Sequence, residues 1–446
     1  MSRGTPSRGD EHIGKAFTSS LLVFFGLGTV VAVSIWFSRN APLTSENIST
    51  EPSGPPSGPA LEDRVERLAL PFKDVREEWG IEFTHESGAK GEKRLPETLG
   101  GGVAITDIDG DQRPDVIFIN GGETAAANLA PHRMVSIHQN LTASDGAPQF
   151  ELQDDVPLLP GYGMGIAAGD VDGDGDTDFY ITTVGRDRLL INESVPGRIA
   201  LRDASDEWNL SHDDDWKTAA GFIDVDADGD LDLVSLSYVE WTPEIDREVD
   251  YRLDGVGRAY GPPTGYAAME PTLLINDQGV FTDEGSARGF RQLNSSTGMA
   301  VGKGLGLAFH DLDQDGDLDI LAANDTTANG AWLNDGSGYF TENGIALGLA
   351  FDRNGMATGA MGLDVANYRG DDTFGIAIGN FANEPTSFFV HRPGFPGFVD
   401  DGVLEGVAVD SRSSLTFGVL FADLDLDGYE ELIHANGHLE EDIDIV

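Results

Sequence analysis

Asp170 to Asp178, DVDGDGDTD, places a carboxylate at every odd position of a nine-residue run and a glycine, Gly175, at the sixth. Like charges crowded into one compact loop repel, so the spacing calls for a positive group among them. A hard divalent cation fits best. Ca²⁺ takes roughly six to eight oxygens from a loop that curls around it, with glycine at the sharp turn. On this reading Asp170, Asp172, Asp174 and Asp178 give side-chain oxygens and Asp176 its backbone carbonyl. The competing reading is a solvated acidic turn, since Asp and Gly also favour turns.

Repetition argues against the bare turn. The same pattern recurs as Asp107, Asp109, Asp111, Arg113 and Asp115; as Asp224, Asp226, Asp228, Asp230 and Asp232; and as Asp311, Asp313, Asp315, Asp317 and Asp319. A last copy reads Asp423, Asp425, Asp427, Tyr429 and Glu431. In each, the seventh position (Arg113, Asp176, Asp230, Asp317, Tyr429) is expected to offer its carbonyl. An EF-hand needs a bidentate Glu at its twelfth position and flanking helices. Phe118, Ile181, Ser235, Ala322 and His434 stand there instead, so these are not EF-hands.

The elements that must hold these loops are strands. Small apolar segments such as GIAAG and GLAFH precede the loops, and β-branched or aromatic runs such as FYITTV follow them. A second motif alternates with the loops: apolar strand, Asn, glycine-containing turn, then aromatic, polar and acidic residues. It is seen in Arg188–Leu210, Pro271–Phe290, Gly330–Leu349 and, more loosely, Ser387–Val407. Such pairs are hairpins. Together they make a four-stranded unit whose first loop positions fall at 107, 170, 224, 311, 367 and 423. Short antiparallel strands at that period predict an all-β propeller. The member at 367 is degenerate, with Asn367, Arg369, Asp371 and Gly375 at its first, third, fifth and ninth positions, and it is expected to hold no metal. Arg369 is expected to pair with Asp371 or Asp372.

Glycine-rich strand, D-x-D-x-D-G-x-x-D loop and apolar strand in repetition resemble FG-GAP/VCBS repeats. More narrowly, LPETLGGGVAITDIDGD, GNFANEP and FGVLFADLDLDGYEELIHANGHLEED resemble the cartilage-acidic-protein group, whose members usually carry a C-terminal ASPIC/UnbV domain. The resemblance covers roughly residue 70 to the end. It implies a seven-bladed, Ca²⁺-binding, extracytoplasmic propeller engaged in adhesion or protein interaction, with the loop residues named above as ligands. The chain departs from that pattern at Gln112, where glycine is usual, at Arg113 and at Glu431. It also stops at Val446 without a seventh loop or an ASPIC/UnbV domain. PFKDV (71–75) and GIEFTHES (80–87) resemble the outer hairpin of a blade, which on pairing with the last strands would close six blades; otherwise the plan is a truncated seven-bladed one, and the expectation leans to the latter.

Ahead of the propeller, residues 1–15 are polar and include Arg3, Arg8 and Lys15, and 16–37 carry no charge. At about 1.5 Å per helical residue the latter span roughly 33 Å, enough for a bilayer core. The expectation is a transmembrane signal anchor with the N-terminus inside and the propeller periplasmic or extracellular. A cleaved signal peptide is the alternative. Residues 38–69 read as a Pro/Ser/Gly-rich linker and a lead-in.

A net charge of −49 excludes nucleic acid and anionic surfaces as partners. The absence of cysteine excludes disulfides and thiolate sites. No H-E-x-x-H, G-x-S-x-G or Walker pattern is present, and His85, His310, His434 and His438 read as structural. The insertion from Glu240 to about Pro271 shows no strong period and carries Trp241, Tyr251, Tyr260 and Tyr266. It is either a recognition loop or a neutral decoration. Two functions remain open: a membrane-anchored, calcium-binding module for a protein or glycan partner, or an exported propeller enzyme acting on a polysaccharide or other polymer.

Overall fold

The computed structural model describes residues 72–440 apart from 127, 211–214, 254, 256, 371–372 and 393. The chain divides into two compact units, Met1–Lys73 and Asp74–Val446. The expected N-terminal segment, anchor, linker and lead-in, and the pairing of Arg369 with Asp371 or Asp372, lie outside the described residues. Among the described residues no helix is long and apolar enough to cross a membrane.

In the second unit the strands form antiparallel sheets in chain order. The first sheet is Val103–Thr106, Asp115–Ile119, Val135–Asn140 and Phe150–Leu152. The second is Tyr162–Gly169, Asp178–Val184, Arg188–Asn192 and Leu201–Asp203, and the third Lys217–Ile223, Asp232–Ser237, Thr272–Asn276 and Phe281–Asp283. Gly304–His310, Asp319–Asn324, Gly330–Asn334 and Phe340–Glu342 make the fourth. Leu363–Ala366, Gly375–Ile378, Ser387–His391 and Phe398–Asp400 make the fifth. The last, Thr416–Ala422 with Glu431–Asn436, has two strands among the described residues.

Second strands such as Asp178–Val184 are buried along their whole length, which explains why FYITTV reads as a continuous apolar run rather than an alternation. Successive side chains of such a strand feed two different cores. Phe179 and Ile181 pack with Ile117 and Ile137 of the first sheet, whereas Tyr180 packs with Leu233 and Leu274 of the third. The same holds further on, where Ile320 and Trp332 meet Val234 and Leu273 and Leu321 and Ala331 meet Ile376 and Phe389. Consecutive four-stranded sheets packed face to face in chain order are a propeller-like fold. Its first strands are glycine-rich because neighbouring first strands approach closely. A Cβ on Gly165 would run into the Thr218 carbonyl, and one on Gly362 into that of Phe417.

Two expectations differ from the structure. Residues 72–87 form no strand and do not join the last sheet. Phe83 instead stacks on Phe118 at 4.4 Å, Trp79 on Phe150 at 6.5 Å, and the Glu82 carbonyl lies 3.2 Å from His138 Nε2. In place of the expected hairpin, two partly buried aromatic rings pack on the first sheet. The insertion is also more ordered than its lack of period implied. It holds the helix Pro243–Val249, capped by Thr242, and the short pair Arg252–Leu253 with Gly257–Arg258. Buried Asp246 organises it by accepting from Leu95 N, Trp241 Nε1, Tyr266 Oη and Arg258 Nη2, all at 2.8–3.1 Å.

Candidate cation loops and an aromatic cavity

Each acidic loop joins the end of a first strand to the start of a second, and the loop backbone reverses twice. Its fourth residue (Gly110, Gly173, Ala227, Gln314, Leu426) and its sixth (Gln112, Gly175, Gly229, Gly316, Gly428) all have positive φ. Only glycine takes that conformation without steric cost, so Gln112, Ala227, Gln314 and Leu426 carry backbone strain that the rest of the loop must offset. The first carboxylate does part of this. Asp311 accepts Asp315 N and Gly316 N at 3.0 Å each, and Asp423 accepts Asp427 N at 3.0 Å and Gly428 N at 2.9 Å.

The ninth residue has a different task. Asp178 is fully buried and accepts Val171 N at 2.9 Å and Asn192 N at 2.8 Å, one on each oxygen. Asp115, Asp232 and Asp319 make the same pair of bonds, and Glu431 accepts from Leu424 N at 2.8 Å. Burial pushes all four aspartates up to about 6 despite those bonds. A cation beside them would pull them back down.

Three carboxylates converge in every one of the five loops: Asp107, Asp109 and Asp115; Asp170, Asp172 and Asp178; Asp224, Asp226 and Asp232; Asp311, Asp313 and Asp315; Asp423, Asp425 and Glu431. Within each trio one oxygen per residue lies within 4.8 Å of the others. Oxygens bound at about 2.4 Å to one central ion are separated by no more than that. Buried oxygens of Asp109, Asp170 and Asp226 have no hydrogen-bond partner, so the donor set fits a hard cation.

The remaining expected side-chain ligands also make hydrogen bonds within the loop. The fifth-position carboxylates Asp111, Asp174, Asp228 and Asp427 each accept the N–H of the seventh residue (Arg113, Asp176, Asp230, Tyr429) at 2.9–3.0 Å. Asp315 does so with Asp317 while also joining its trio. Asp111 is further engaged by the Arg113 guanidinium, and Asp226 by Arg288 at 3.1 Å. In the degenerate loop, Arg369 pairs with Glu405 at 2.6 Å.

A set of residues went unread in the sequence. Asn192, at the end of the second sheet's third strand, donates from Nδ2 to the Ile108 carbonyl in the preceding loop at 2.8 Å. Asn276 reaches Val171 O at 3.2 Å and Asn334 reaches Val225 O at 2.9 Å in the same way. The first three acidic loops are thereby each held by the next sheet. The recurrent Asn was visible, but its partner lies one repeat earlier. The Asn192 and Asn324 side chains of two N-glycosylation sequons are buried and bonded.

At the opposite strand ends lies a cavity of about 310 Å³. Leu99, Leu305, Met361 and Phe417 enter it from the starts of first strands, and Tyr238, Asp325 and Phe381 from beyond the ends of second strands. The insertion adds Tyr251 and Tyr260, two of the aromatic residues noted in the sequence. Asp325 accepts from Tyr238 Oη at 2.6 Å; burial pushes its carboxyl up to about 6, which the Tyr238 bond and Lys303 partly offset. Glu384 accepts from Gly359 N at 2.7 Å and is likewise raised by burial. The histidines are isolated: His85, His310 and His434 are held low by burial, and His438 sits edge-on to Phe381.

No curated protein matches the chain. Among solved structures, an Agrocybe aegerita lectin, described as recognising non-reducing terminal N-acetylglucosamine, is similar at 16% identity and a TM-score of 0.39, over 75% of each chain. Rhamnogalacturonan lyase YesW is similar at 14% identity and 0.34, over 76% of this chain and 55% of the lyase. Trypanosoma rangeli sialidase is similar at 9% identity and 0.33, over 75% of this chain and 52% of the sialidase. Residues 107–181, from the first acidic loop into the second sheet, match the FG-GAP-like repeat.

Proposed function

We propose that the chain is an extracytoplasmic binding module whose propeller is fastened by Ca²⁺ at its acidic loops and tethered to a membrane through residues 16–37. The observation that carries this reading is the separation of the two ends. Convergent carboxylates occupy one set of strand ends, and an aromatic-walled cavity occupies the other. The metal then serves structure, and the cavity end is left for a protein or glycan partner. Asp107, Asp109 and Asp115, and the equivalent trios, would hold the ion. Ca²⁺ would supply charge neutralisation between paired strands. Thermal unfolding with chelator and after Ca²⁺ is restored tests it. A lower melting temperature in chelator that recovers with Ca²⁺ supports the reading, and an unchanged melting temperature removes the structural metal.

A second reading, an enzyme acting on a polysaccharide, is favoured by one observation. Two carboxyls raised by burial, Asp325 and Glu384, line one cavity, as a general acid would. Release of reducing ends from a polysaccharide panel, lost in Glu384→Gln, would support it.

A further inference from the structure

The cavity wall is aromatic and aliphatic over most of its area, yet it contains two carboxylates and no lysine, arginine or histidine. Of the nearby cations, Lys303 directs its ammonium to Pro263 O at 2.7 Å and offsets part of the Asp325 charge, and Lys93 lies 4.7 Å over the Tyr260 ring while pairing with Glu440 at 3.0 Å. Glu384 has its bond from Gly359 N and no ion pair among the described residues. Around these acids stand Tyr238, Tyr251, Tyr260, Phe381 and Phe417. Ring faces carry negative potential and attract a cation most strongly where water is scarce. An anion would be repelled from this wall, and a neutral molecule would leave the half-buried Glu384 without a counter-charge.

We infer that this cavity binds a small organic cation, a protonated or methylated ammonium group, with Glu384 and Asp325 as counter-charges and the tyrosine and phenylalanine rings as its walls. The inference rests on the reading of the cavity as the module's binding seat. At about 310 Å³ the space suits a compact headgroup rather than a polymer segment. A free amine and an amine side chain of a partner present the same ammonium chemistry to this wall.

The test is calorimetric titration of the full chain with choline and benzylamine against their neutral counterparts, 3,3-dimethylbutan-1-ol and benzyl alcohol. The cations should bind about tenfold more tightly than the neutral probes. Glu384→Gln, which keeps an oxygen for Gly359 N, should erase that preference without lowering the melting temperature. Asp325→Asn should weaken it, and Phe381→Ala should weaken both members of each pair. Equal affinities, absence of binding by either cation at millimolar concentration, or a preference untouched by Glu384→Gln would each overturn the inference. Binding of N-acetylglucosamine or galactose with no response to choline would also overturn it, while leaving the binding-module reading in place. The chelator experiment reads the metal loops independently of every probe.

Discussion

Two aspartates of one loop illustrate how equal chemistry is put to unequal use. Asp178 is fully buried and satisfies two backbone N–H groups, whereas Asp172 is exposed and accepts only Asp174 N, at 3.2 Å. Asp178→Ala should therefore cost about 3 kcal/mol even in chelator, because two buried donors lose their partner, and more when Ca²⁺ is present. Asp172→Ala should be nearly neutral in chelator and should forfeit stabilisation only when Ca²⁺ is present. Urea denaturation of both variants in each condition checks this, and a tolerated Asp178→Ala would refute the assignment. Asp325 makes a separate prediction with pH. Its folded-state pKa, raised to about 6 by burial against Tyr238, Lys303 and Glu384, exceeds that of the unfolded chain. Its protonation thus favours the native state at low pH, and that contribution is lost as pH rises through about 6. Relative to wild type, Asp325→Asn should gain about 2 kcal/mol between pH 4.5 and 7. The difference between the two proteins is the quantity to measure, since the ninth-position aspartates titrate in both.

Strand pairs, hairpins and their order were legible at the level of elements because repetition supplied several readings of one pattern. The carboxylate trios were legible for the same reason, although the diversion of Asp111 to Arg113 was not: the pairing is set by side-chain reach, which spacing does not encode. The insertion helix left a signal that its lack of apolar period hid, namely Thr242 as cap and Pro243 at the first turn. Asp325, Glu384 and Tyr238 belong to different sheets and follow no shared motif, so nothing in the chain marked them as neighbours. The hub at Asp246 was invisible likewise. Asp246→Ala should cost about 3 kcal/mol, since it leaves Arg258, Trp241 and Tyr266 without their buried acceptor. Because Leu95 N also bonds Asp246, hydrogen exchange should rise in residues 92–99 as well as in the insertion. Faster exchange confined to 243–266 would mean that the hub does not reach beyond its own loop.

Across the whole molecule, the net charge of −49 sets diffuse repulsion against local clamps. Sodium chloride screens the first, whereas an ion seated in a trio also joins two strands. At equal ionic strength Ca²⁺ should therefore raise the melting temperature above the sodium value, and Mg²⁺ should do less because it demands a tighter octahedron. Each site occupied at a hundredfold its dissociation constant adds about 2.7 kcal/mol. How that loss spreads under chelation follows from the asparagine ties. Sheets of a repeat architecture are semi-independent when they touch only through side-chain packing, but Asn192, Asn276 and Asn334 each bond a carbonyl of the preceding loop. Disorder in the first, second or third loop should thus pass forward into the following sheet. In the fifth sheet His391 stands where those asparagines stand, and its ring turns to Gln314, Phe374 and Phe398. Gln314 belongs to the fourth loop, Asp311 to Asp319, so the tie there is one side-chain contact of 3.4 Å rather than a bond to a loop carbonyl, and loosening of that loop should pass forward less. Hydrogen exchange during a chelator titration should show residues 188–192 following loop 107–115, 272–276 following 170–178 and 330–334 following 224–232. Residues 387–391 should follow loop 311–319 to a smaller extent, since only the Gln314–His391 contact joins them. Equal deprotection of 387–391 would show that packing alone carries the coupling and that the asparagines are incidental to it.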